Sequence, residues 1–98
     1  MSLPLGKGFH ADLDGLHLHA EVQLEGWQYR ILNVKENSVV KDWTMPLHAS
    51  TSYYGEPANT QFQAVVEALR HLGRRENAHK VFARIKWEPY GPGHEKKG

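Results

Sequence analysis

The sequence predicts one small α+β domain, a β-β-β-α-β chain with a single helix packed on one face of an antiparallel sheet. Three observations carry this expectation. Residues 16–24 and 28–34 alternate apolar and polar side chains about Glu25-Gly26. Residues 60–72 repeat apolar side chains at helical spacing, and residues 80–87 alternate again. A chain of 98 residues with 40% apolar side chains suits a single core.

Residues 1–9 hold two Gly and one Pro without a sustained period, so they are expected to form a loose arm before a folded unit at 10–88. Leu16 to Leu24 is the first expected strand and Gln28 to Val34 the second. Gly26 supplies the positive φ that a two-residue primed turn needs. That turn pairs Leu24 with Trp27, Val22 with Tyr29 and Ala20 with Ile31 on one face. On the other it sets Glu21 against Arg30 and Gln23 against Gln28, so unlike charges meet while apolar residues stay together.

A third strand follows a three-residue loop, Lys35-Glu36-Asn37, with Asn37 left-handed. The register pairs Leu32 with Val40, Arg30 with Asp42, Tyr29 with Trp43 and Trp27 with Met45. It builds a polar row Glu21–Arg30–Asp42 and leaves Lys41 beside Ile31, which marks the strand as an edge. Residues 46–58, with two Pro and one Gly, are a connection. Thr60-Gln-Phe-Gln63 has the capping-box pattern, Phe62, Val65, Val66, Leu69 and Leu72 form an apolar stripe, and Gly73 is placed to end the helix. In residues 80–87, Val81, Ala83, Ile85 and Trp87 would point inward and Phe82, Arg84 and Lys86 outward; a helix across 75–85 is the rival. Residues 89–98 read as a flexible Pro/Gly and charge-rich tail.

The simplest assembly is a three-strand meander, a right-handed crossover through the helix, and a fourth strand beside strand one, in the order 3-2-1-4. The helix would then cover Leu18, Val22, Trp27, Tyr29, Ile31 and Trp43. In element order alone this outline resembles the first half of an RNase H-like fold. That resemblance implies metal-binding carboxylates on the first strand and the helix. Here the strand's centre carries His and Ala and the helix offers only Glu67, which argues against nuclease activity.

The chain has no cysteine, which excludes disulfides, thiolate metal sites and cysteine nucleophiles. No apolar run approaches the ~18 residues of a membrane span, and a cytoplasmic setting is the default expectation. Net charge is +1 with a pI of about 8.1, short of the pI above ~9 typical of dedicated nucleic-acid domains.

Four groups of residues could carry function. Leu32, Val34, Val40 and Phe82 would lie on the sheet face away from the helix, where an uncovered apolar patch promotes association with a second copy or another protein. Arg74, Arg75, Lys80, Arg84 and Lys86 around Phe82 would suit nucleic acid, the ring stacking a base between cations. His17, His19 and Glu21, two apart on a strand, share a face and are suitable metal ligands, with Asp12 or Asp14 able to complete them. Tyr53 and Tyr54 stand in a loop as contact candidates, and His48 with Ser50 or Ser52 lacks the nucleophile elbow of an acyl-transfer site. The expectation is a non-catalytic module without cofactor that binds through its open face or its edge strand, with nucleic-acid binding as the alternative.

Overall fold

The computed structural model describes residues 5–46 and 57–91. The elements are β1 (Gly8–Leu13), β2 (Leu16–Gln23), β3 (Gly26–Asn33), β4 (Ser38–Thr44), α1 (Pro57–Leu72), α2 (Ala78–Arg84) and β5 (Glu88–Tyr90). The domain is α+β, but its single sheet has five strands, all paired antiparallel, in the order β4-β3-β2-β1-β5.

The place expected for the last strand, beside β2, belongs to β1. Asp14 and Gly15 both adopt positive φ (53° and 87°), and Leu13 faces Leu16 across this two-residue turn. Asp-Gly between alternating residues is a strong hairpin signal. Residues 6 and 7 extend the ladder: Gly6 N–H donates to the Val22 carbonyl and Val22 N–H to the Lys7 carbonyl. Within the expected loose arm, residues 6 and 7 are thus tied to β2 by backbone hydrogen bonds, and Gly8 and Phe9 belong to β1.

The β2–β3 hairpin turns one residue earlier than expected, with Gln23 closing against Gly26. Val22 faces Trp27, Ala20 faces Tyr29 and Leu18 faces Ile31. The register differs by two residues, so every side chain keeps its expected face. Leu24 stands in the loop, 79% exposed, instead of pairing with Trp27. Trp27 meets Val22 and stacks on Phe9 of β1 (ring centroids 6.0 Å), a partner that a two-strand pairing test cannot include.

β4 is an edge strand, and Lys41 lies beside Ile31 as expected. Asn37 is left-handed (φ 51°), but the loop has four residues, closed by Asn33 and Ser38. Two register shifts follow: Leu32 pairs with Val39, not Val40, and Tyr29 with Thr44, not Trp43. Each shift adds a residue to β4 and reverses the face of those beyond it. The four-residue loop moves the register by one, which puts Val40 against the core and Trp43 on the open face beside Arg30. The two shifts together cancel and alter only the residues between them, such as Lys41.

Helix α1 starts at Pro57, three residues before the expected 60, with Pro tolerated in a first turn. Thr60 is buried inside the helix and is not its cap. At the other end Gly73 (φ 70°) closes a Schellman motif: its N–H donates to Arg70 O and that of Arg74 to Leu69 O.

Residues 78–84 are helix, not strand. Asn77 caps α2, its Oδ1 accepting from the N–H groups of His79 (2.9 Å) and Lys80 (3.3 Å). Ala78, Val81, Phe82 and Ile85 then meet the core at helical spacing, whereas Ala83, which a strand would have turned inward, is exposed. The chain returns as β5, where Tyr90 faces Gly8, Pro89 faces Phe9 and Glu88 faces His10. Antiparallel β5 on the edge of β1 departs from the RNase H-like order, and it draws Pro89 and Tyr90 out of the expected tail.

The larger core cluster joins Leu16, Leu18, Tyr29 and Ile31 of the sheet to Ala64, Val65, Ala68 and Leu69 of α1 and Val81 of α2. A smaller one gathers Ala20, Val22 and Trp27 with Phe9. Among the described residues no helix is long and apolar enough to cross a membrane.

Candidate binding face of the sheet

With the helices on one face, alternate residues of β1, β2 and β3 leave His10, His17, His19, Glu21, Arg30 and Leu32 on the other. His10 lies directly opposite His19, Asp12 opposite His17, and His19 opposite Arg30. The imidazoles form a triangle, with ring centroids 4.7 Å apart for His17–His19, 5.2 Å for His10–His17 and 6.2 Å for His10–His19.

Tyr90 enters this group from β5 because Gly8 has no side chain. Gly8 stands between Glu21 and Tyr90 in the sheet, and a Cβ on it would strike the Ala20 carbonyl and lie 3.0 Å from Tyr90 Oη. The phenol instead reaches across β1, donating to Glu21 Oε1 (2.7 Å) and lying 3.2 Å from His19 Nδ1. Its single proton serves the carboxylate, so His19 Nδ1–H is the donor of the second bond. His17 Nδ1 is likewise paired with Asp12 Oδ1 at 2.6 Å. Among the described residues, both rings are thus left with Nε2 uncommitted.

Burial holds the His19 pKa down at about 4, since partial removal from water penalises the charged ring, and His17, Arg30 and His10 add positive charge nearby. Tyr90 shifts the other way: burial, then its bond to Glu21 and the negative charge there, raise its pKa. Arg30 lies over the Trp43 ring at 4.6 Å, and its Nε–H is buried without an acceptor among the described residues. His10, His17, His19, Glu21, Arg30 and Tyr90 line a shallow hollow of about 290 Å³.

A second hollow of about 320 Å³ adjoins it, lined by His17, Leu32, Asn33, Val34, Asn37, Ser38 and Val39. It is the apolar corner of the face. Val34 and Val39 are 61% and 58% exposed.

No family model, curated protein or solved structure matches this chain. The geometry alone therefore sorts the expected sites. Leu32 and Val34 lie on the open face as expected, joined by Val39. Val40 and Phe82 do not: Val40 packs against the core from the helix side, and Phe82 packs edge-on to Phe62 at 5.7 Å. Phe82 is therefore not presented between cations as a stacking platform. Arg74 pairs with Asp14 (3.0 Å) and Glu76 (2.6 Å), and Arg84 reaches Glu76 (3.4 Å). Arg75, Lys80 and Lys86 are exposed. Tyr53, Tyr54, His48, Ser50 and Ser52 lie outside the described residues.

Of the metal candidates, His17 and His19 stand together, but Glu21 is engaged by Tyr90 and by Gln23 Nε2 (2.5 Å), not by Arg30. As placed, no three His, Asp or Glu side chains among the described residues converge to hold an ion. Four members of the face were missed from sequence: His10, Val39, Trp43 and Tyr90. His10 was legible through the Asp14-Gly15 turn, which sets it against His19; nothing local announces Trp43 or Tyr90.

Proposed function

We propose that this domain is a non-catalytic binding module that meets another protein surface, a second copy included, through the open face of its sheet. The observation that supports it is the exposed apolar corner of Leu32, Val34 and Val39 beside the aromatic and imidazole rings. Exposed valines clustered around a hollow and rimmed by polar side chains form the kind of patch that finds a partner in water. The face is favoured over the edges. β4 carries two register shifts and Lys41, and β5 has three residues with Pro89 at its centre, all features that discourage strand addition.

Light scattering across a concentration series tests the proposal, together with pull-down from lysate. Association is expected, and Val34→Asp with Val39→Asp should abolish it while the fold persists. A strictly monomeric protein that captures nothing, or association indifferent to both substitutions, sinks the idea.

A further inference from the structure

We infer that His10, His17 and His19 constitute a divalent-metal site of the three-imidazole type, taking zinc or a similar nitrogen-preferring ion and leaving a fourth position open to solvent. This inference is independent of the association proposed above. Two ligands come from one strand at i and i+2, and the third stands directly across the ladder, His10 facing His19. Backbone pairing of β1 with β2 therefore holds the three Cα positions without help from side chains.

The spacing suits ligation through Nε2. With Zn–N of roughly 2.0–2.1 Å and tetrahedral angles, three bound imidazoles have ring centroids about 5 Å apart. Two of the observed separations, 4.7 and 5.2 Å, bracket that value, and the third, 6.2 Å, involves His10. As placed, the three donors do not converge. Closing the long side requires an adjustment of His10 χ1, because rotation about the terminal torsion re-aims Nε2 but leaves the ring centroid on its axis.

Hydrogen bonding supplies an independent observation. Ligating histidines usually donate their other ring nitrogen to a carboxylate or similar group, which fixes the tautomer and strengthens the ligand. His17 has Asp12 on Nδ1, and His19 has Tyr90, itself anchored on Glu21. Both rings are thus held in the tautomer that leaves Nε2 as the donor atom to a metal. The chemistry selects the ion: nitrogen ligands suit zinc, cobalt or nickel, whereas magnesium and calcium require oxygen donors. The hollow over these rings leaves room for a water or an exogenous ligand.

The test is titration of untagged, chelator-treated full-length protein with Co²⁺, read by its visible absorption and then by displacement with Zn²⁺. One ion per chain with the intense bands of a four-coordinate site is expected. His10→Asn, His17→Asn and His19→Asn should each weaken binding by at least about tenfold, and Asp12→Asn by about tenfold or more through the lost partner of His17. His71→Asn and His79→Asn, on the helices, should leave binding unchanged, as should His48→Asn and His94→Asn. Should a variant fail to fold, wild-type imidazole ¹⁵N shifts decide: zinc must move the Nε2 resonances of these three rings. Absence of the cobalt bands, binding that survives His10→Asn, or zinc shifts confined to other histidines would overturn the site. Zinc bound to a monomer supports it whatever becomes of the association proposal.

Discussion

The two faces of this sheet are made by alternate residues of the same strands, yet different forces govern them. Leu16, Leu18 and Ala20 of β2 point under the helices and are almost wholly removed from water. His17, His19 and Glu21, one position away in each case, are only partly buried and held by hydrogen bonds to Asp12, Tyr90 and Gln23. The covered face derives its stability from area and tight packing. The open face derives its order from specific polar partners, and those depend on protonation in a way that packed methyl groups do not.

Substitutions should separate the faces, and the largest difference is expected from leucines facing opposite ways. Leu18→Ala, in the centre of the covered face, should cost about 2–5 kcal/mol in urea unfolding, through lost transfer energy and the cavity left behind. Equal losses from Leu18→Ala and Leu32→Ala would break the distinction. Gly8→Ala comes next, at about 1–3 kcal/mol, because the added methyl meets the Ala20 carbonyl and Tyr90 Oη. Its near-ultraviolet dichroism should change as the Tyr90 ring is displaced, whereas Tyr90→Phe keeps the ring and should cost about 1–2 kcal/mol for the lost bonds to Glu21 and His19.

Acid should act on the open face through His19. His19 takes up its proton near pH 4 when folded and near 6.5 when unfolded, so between those values the unfolded chain binds more protons. Its contribution to stability is therefore fully present above about 6.5 and is lost as pH falls toward about 4. The groups that face this ring are His10 and Asp12 on β1, His17 and Glu21 on β2, Arg30 on β3, Trp43 on β4 and Tyr90 on β5. Melts across this range should show the decline, and His19→Gln should flatten it; an unchanged slope would remove His19 as the cause. The smallest effect belongs to Leu32→Ala itself, within about 1 kcal/mol by urea unfolding, since one partly exposed side chain contributes little.

Much of the covered face was legible from sequence because it depends on period. Leu18, Ala20, Val22, Tyr29 and Ile31 keep their face under a two-residue register change, and Val65 and Leu69 keep theirs whether the helix starts at Thr60 or Pro57. The open face depended on details that a period does not encode. Without the Asp14-Gly15 turn there was no β1, and without β1 neither His10 nor Gly8 had neighbours. The longer β3–β4 loop exchanged Val40 and Trp43 between faces, and an alternation of Val, Lys and Asp does not distinguish a loop closed by Asn33 from one closed by Val34. Phe82 and Ile85 fitted a strand as well as a helix until Asn77 is recognised as a cap.

The same sheet order brings Gly91 against Gly6, so closely that a Cβ on Gly91 would collide with the Gly6 carbonyl. The described chain thus enters and leaves the domain at one spot, on the edge farthest from β4. Such a domain can be spliced into a surface loop of a host protein without prying the host's loop ends apart. It can also be circularly permuted, with a short linker joining these neighbouring ends and new termini opened in the Val34–Asn37 loop. The β1–β5 seam would then become an internal crossing of the chain.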